Sequence, residues 1–172
     1  MADLTFNTTH GSVVERKLLI LYLNTATPEA PVWSAIGKRV EDSSMEMDWN
    51  VETKKDIFGI TYNTAADPTI TQTFDPCELD GADAAQVKLW NLAVREQDPS
   101  ALTNLDMLVV HTYAGPAATP FAERYHSCAV LPSSLGGSSN IGMPIDVTFG
   151  GTRAVGTASN TGGVVTFTED AA

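Results

Sequence analysis

The sequence predicts a mainly β protein, a β-sandwich or barrel of about nine or ten strands with one flanking α-helix. Three observations carry this. Short apolar or alternating segments of about six residues recur along the whole chain, bounded by Pro, Gly, Asn and Asp. Only one segment, about 83–97, carries both a helix start signal and a helix stop signal. Hydrophobic residues make up 43% of the 172 and charged residues 18%, enough to fill one core and too apolar for a disordered chain.

Residues 1–12 are polar and Thr-rich and read as an N-terminal arm, leaving 13–172 as one β domain. The run Leu18-Leu19-Ile20-Leu21-Tyr22-Leu23 is too short for a buried helix and suits a buried strand. Val32 to Lys38 is a second strand. Residues 45–52 give the clearest period of two, predicting one strand with Met45, Met47, Trp49 and Val51 on an apolar face. Glu46, Asp48 and Glu52 then share the opposite, acidic face. Phe58 to Asn63 and Thr69 to Phe74 follow, separated by the turn signal Ala65-Ala66-Asp67-Pro68, with Thr69, Thr71 and Thr73 on one face.

In the helix, Asp83 and Gln86 match a capping box, and Asp98-Pro99 ends the segment. Lys88, Asn91 and Arg95 form a narrow polar stripe, and the apolar positions cover well over half the circumference. Such a helix is either sunk deeply in its own domain or also faces a neighbour. Val87, Trp90 and Val94 are the candidate inter-subunit residues. Strands resume at Leu105 to Tyr113 and Phe121 to Leu131, the latter with Phe121, Tyr125, Ala129 and Leu131 on one face. After the loop Pro132 to Asn140, Met143, Ile145, Val147 and Phe149 alternate with polar residues. Segments 152–157 and 164–169 complete the chain.

Formal charge is −11, from 10 basic and 21 acidic residues, which excludes general nucleic-acid binding through clustered cations. No apolar run approaches the ~20 residues of a membrane-spanning helix, and the start lacks a signal-peptide pattern. No membrane partner is expected, and synthesis in the cytoplasm is. Cys77 and Cys128 are too few for a disulfide framework and read as buried thiols, although a bridge between them stays open. His126 and Cys128 would share a strand face, the one hint of a metal site, but no His or Cys spacing matches a known ligand set. The Gly150 to Gly156 stretch is neither a phosphate loop nor a dinucleotide fingerprint, and no nucleophile elbow surrounds Ser138 or Ser139. The reading is therefore no catalytic residues, no cofactor, no metal and no enzyme.

Several segments resemble the major tail (tail tube) proteins of long-tailed bacteriophages. They are Trp33-Ser-Ala-Ile-Gly-Lys38, Met45-Glu-Met-Asp-Trp-Asn50, and Gln72-Thr-Phe-Asp-Pro-Cys-Glu-Leu-Asp80 leading into the helix. Pro144-Ile-Asp-Val-Thr-Phe-Gly-Gly151 is the last. The resemblance spans about residues 12–169, and no extra immunoglobulin-like domain follows, as it does in some members. It implies a structural virion protein forming stacked hexameric rings around a channel, assembled in the host cytoplasm. Its partners would be further copies of itself, a tape-measure protein, and DNA in transit without specific binding. Another ring component, such as a terminator or baseplate ring, is the alternative. A small β-sandwich enzyme or binding module is a more remote one. Under this reading Glu46, Asp48 and Glu52 are the candidate lumen-facing residues, with the tube exterior as the competing location. The arm 1–12, Lys38 to Ser44 and Pro132 to Ile141 are expected to reach neighbouring subunits.

Overall fold

Eleven strands, two short α-helices, a π-helical segment and a 3-10 turn at Arg16–Leu18 make up the fold, seen in a computed structural model describing residues 3–171. The strands are β1 (Leu19–Asn24), β2 (Trp33–Ile36), β3 (Met45–Asp48), β4 (Glu52–Lys55), β5 (Thr61–Thr64), β6 (Thr69–Phe74), β7 (Leu105–His111), β8 (Phe121–Pro132), β9 (Ile145–Thr148), β10 (Arg153–Thr161) and β11 (Val164–Glu169). All pairings are antiparallel. The mainly β expectation with a flanking helix holds.

The strands β2-β1-β7-β8-β10-β11 form one curved sheet, which curls until β11 returns against β2. Its inner face gathers Tyr22, Trp33, Leu108, Val110, Ala122, Ala158 and Val165 from all six strands into one buried cluster. Its outer face packs Leu21, Leu23, Met107 and Val109 against a second core, shared with β3, β6, β9 and the helix. A sheet covered on both faces explains why the segment from Leu18 to Leu23 shows no alternation.

Strand β8 belongs to both layers. Up to His126 it pairs with β7 and β10, and from Ala129 to Pro132 it pairs with β9. The switch is a bulge at Ser127, whose φ is +58°, an uncommon value for a residue with a side chain. The bulge reverses the inside–outside parity. Tyr125 is buried before it, and Cys128 and Val130 after it, so Ala129 and Leu131 turn outward instead of sharing a face with Tyr125. It also separates His126, which turns to Asp106, from Cys128, which is fully buried in the second core. The shared face expected for that pair is absent. Gly151 lies against the bulge at φ +66°, where a Cβ would collide with the His126 carbonyl.

The helix begins as predicted: Asp83 Oδ1 accepts from the backbone N–H groups of Ala85 and Gln86 at 3.0 and 3.1 Å. Gln86 does not complete the capping box. Its Oε1 accepts from Asp80 N at 2.7 Å and its Nε2 donates to Glu78 O at 3.0 Å, tying the preceding loop to the helix. The α-helix α1 covers Ala84–Trp90, passes into a π-helical segment at Asn91–Glu96, and stops at Gln97 in the left-handed region, φ +51°. Asp98 then caps a second short helix, α2 (Pro99–Leu102).

The predicted strand 45–52 is two strands in two sheets. Asp48 Oδ1 accepts from Asn50 N at 3.0 Å, and Asn50 sits at φ +45°, so the chain turns there. Strand β3 joins the main sheet beside β6, whereas β4 pairs only with β5. This break helps raise the strand number from the expected nine or ten to eleven.

Candidate assembly interface

The β4–β5 hairpin stands off the body of the molecule. Every residue from 46 to 67 is exposed, in a chain whose other strands contribute to two cores. An isolated two-stranded hairpin is marginal in water, and each of its outer edges presents unpaired backbone donors and acceptors. The register places Glu52, Lys54, Tyr62 and Thr64 on one face and Thr53, Lys55, Thr61 and Asn63 on the other. Both faces are mostly polar, but the tip is not: Ile57 is 94% exposed, Phe58 81% and Ile60 64%.

The tip is shaped by one side chain. Asp56 Oδ1 accepts from Phe58 N and Ile60 N, both at 2.9 Å. Backbone bonds from Asp56 N to Ile60 O and from Gly59 N to Asp56 O, both 3.0 Å, close the turn, with Gly59 at φ +80°. At the hairpin root, Met47 and Trp49, on the apolar face of the period-two pattern, are about half exposed. They border a groove of about 560 Å³ where the second core opens, together with Ile70, Tyr125 and Phe149.

The acidic row is rearranged accordingly. Glu46 and Asp48 remain together on the outer face of β3, opposite Thr71 and Thr69. Glu52 leaves that row for β4, where Lys54 neutralises it at 2.8 Å. Asp146, which the sequence reading did not single out, takes its place: β9 pairs Asp146 with Thr73 and Thr148 with Thr71, and Thr73 donates to Asp146 Oδ1 at 2.8 Å. The signal was present in the alternation around Ile145 and Val147, but the order of strands in the sheet is what joins it to Glu46. The result is an exposed face of carboxylates and threonines.

On the helix, Val87 and Val94 are exposed, and Trp90 is half-buried and packs on its own second core with Leu92 and Ala93. The wide apolar arc is thus mainly covered within the chain, and two of the three candidates remain outward. Parts of the polar segments expected to reach neighbours are tied to their own domain. Phe6 stacks edge-on with Tyr113 at 5.0 Å, and Asn7 Nδ2 donates to Thr112 O and Gly115 O, both at 2.9 Å. Ser43 is buried, donating to Thr73 O at 2.6 Å. Asn140 Nδ2 donates to Glu78 Oε1 at 2.9 Å.

Two charge clusters sit within the barrel strands. Buried Glu123 meets His111 Nε2 at 2.9 Å and accepts from Arg153 Nε at 2.6 Å, with Tyr125 OH at 3.3 Å. Burial alone would raise the Glu123 carboxyl, but hydrogen bonds from His111 and Arg153, with their charge, outweigh it and hold the pKa below its ordinary value. Burial and the Glu123 charge push Tyr125 up to about 12. At the other end, Asp106 holds Arg124 at 2.5 Å and His126 at 3.3 Å, and the Arg124 guanidinium lies 5.6 Å from the Trp33 ring centroid. Each carboxylate is paired with one arginine and contacts one histidine, as in a structural ion network. Among the described residues no group of three or more His, Cys, Asp or Glu side chains is placed to hold a metal ion, and no helix is long and apolar enough to cross a membrane.

No protein-family model matches the chain, and no curated protein does. Among solved structures, the chain is similar to one described as an extracellular contractile injection system, PVC sheath-tube complex in extended state. The TM-score is 0.48 with 9% identity, over 86% of this chain and 94% of that one. It is similar to the anti-feeding prophage cap, described as a tube terminating cap, at TM-score 0.47 and 13% identity over 88% and 96%. A third is the PVC sheath/tube terminator in extended state, at 0.47 and 9% over 86% and 99%.

Proposed function

We propose that the chain is a ring-forming structural component of a phage-tail-like or secretion tube, working by self-association. The observation that carries this is the hairpin of β4 and β5: a polar ribbon with two open edges, an apolar tip, and an apolar groove at its root. A lone chain gains little from exposing these features, whereas neighbours pairing edge to edge would satisfy the backbone and cover the apolar groups. The resemblance of the sequence to tail tube proteins agrees with this reading. Glu46 and Asp48, with Asp146 in place of Glu52, are the proposed channel-facing residues, since an acidic wall repels DNA and lets it pass unbound. A tape-measure protein is the proposed further occupant of that channel, and Val87 and Val94 are proposed lateral contacts.

Negative-stain electron microscopy of the concentrated protein tests this. Stacked tubes with an axial hole identify the tube wall, and single closed rings identify a terminator or cap. A protein that stays monomeric at every concentration overturns the proposal.

A further inference from the structure

We propose that Tyr113 is a covalent modification site, its phenol taking an activated acyl group with His111 as the general base and Glu123 as the group that positions that base. The proposal goes beyond the assembly reading and does not depend on it. Tyr113 follows β7, and its hydroxyl lies 2.9 Å from His111 Nδ1. The other ring nitrogen, Nε2, lies 2.9 Å from Glu123 Oε2. Glu123 divides its two oxygens. Oε1 accepts from Arg153 Nε at 2.6 Å and from Tyr125 OH at 3.3 Å, and Oε2 is left to His111. Held below its ordinary pKa, this carboxyl is ionised and accepts only, so Nε2 carries the proton of the neutral imidazole. Nδ1 is then a lone-pair acceptor, and the Tyr113 hydroxyl donates to it. The imidazole is fixed as a ring as well, tilted on Phe121 at 5.3 Å and edge-on to Tyr113 at 5.6 Å.

A hydroxyl, a base within hydrogen-bond reach and a carboxylate orienting that base form the arrangement that activates a nucleophile for acyl transfer. Burial, with the Glu123 charge, holds the Tyr113 phenol above its ordinary pKa, so free phenolate is scarce and the proton has to leave during attack. The step balances on these groups. Tyr113 Oη bonds to the acyl carbon and its proton passes to His111 Nδ1. The leaving group departs with the electrons of the ester C–O bond, and Glu123 stabilises the imidazolium until water takes the proton. Tyr113 is partly exposed, and the Phe6 ring, edge-on at 5.0 Å and 61% exposed, gives an apolar surface to an aryl leaving group. Of the other three tyrosines, Tyr22 and Tyr125 are buried, and Tyr62 is about half exposed on β5, opposite Lys54. Tyr62 is thus the more accessible phenol and serves as the internal control.

The test treats the full chain with p-nitrophenyl acetate at neutral pH and follows acetylation at Tyr113 and at Tyr62 by peptide mass spectrometry. Tyr113 is expected to acetylate roughly tenfold or more faster than Tyr62, although it is the less exposed of the two. His111→Gln keeps a hydrogen-bonding side chain but removes the base, and is expected to bring the Tyr113 rate down to that of Tyr62 or below. Tyr113→Phe keeps the ring against Phe6 and removes the modified atom, so the label at this position is lost. In the unmodified chain, which needs no variant to fold, Tyr62 reacting as fast as Tyr113 or faster overturns the proposal. An unchanged Tyr113 rate in His111→Gln that melts as the parent does overturns the role of His111 and the proposal with it.

Discussion

Glu123 is expected to be one source of acid sensitivity in the fold. Its pKa in the folded chain lies below the ordinary 4.5, so its contribution is present above that value and is lost as pH falls through the lower folded pKa. Glu123→Gln is expected to destabilise the chain at pH 7 by on the order of 2 kcal/mol, since His111 and Arg153 lose a charged acceptor. The variant should also lose less stability than the parent between pH 5 and pH 3, in denaturant titrations at stepped pH. Equal slopes for the two proteins would rule out Glu123 as a source of the acid loss. Cys128, pushed up to about 11 by burial, and Cys77, also raised by burial, should both resist a thiol reagent at pH 8 until the protein is unfolded. Labelling of either in the native state would contradict their burial. Buried thiols were legible from composition, but the Ser127 bulge was not. One residue at positive φ inverts the parity of every later position, and nothing in the alternation of Tyr125 to Leu131 announces it.

Among the elements, the helix start was the most legible, because a cap is a local device. Asp83→Ala should cost about 1 kcal/mol in thermal or denaturant melts. A change below the error of the melt would mean that the cap is redundant with the anchoring of Gln86. The π-helical segment was not legible, since it rotates the helix face by an amount no capping residue sets, and Leu92 and Ala93 within it pack on the second core. The segment 45–52 misled for a similar reason. Its period of two is genuine, but Asp48 and Asn50 supply turn chemistry inside it, and a sheet break does not disturb alternation. The acidic face of β3 and β9 carries its own expectation. Glu46→Lys and Asp146→Lys together should leave assembly intact and make the particles retain DNA, most strongly at low salt. Assembled particles of this variant that release DNA as the parent does would remove this face from the channel.

At the scale of the whole molecule, the fold class was readable because it depends on segment length, periodicity and turn chemistry, all local. How the sheet curls, which strands share a face and which element stands off the body depend on contacts between distant segments, and these were not readable. The clearest consequence is the stretch 49–67, which reads as the end of one strand and the whole of another and is instead a hairpin with its flanks, exposed along its whole length. In the proposed assembly this stretch is the principal contact surface. Amide hydrogen exchange, compared between unassembled and assembled protein, measures that directly. The predicted result is fast exchange across 49–67 in the single chain and strong protection in the assembly, with the strands β1 and β7 protected in both. Equal exchange of 49–67 in the two states would contradict this assignment.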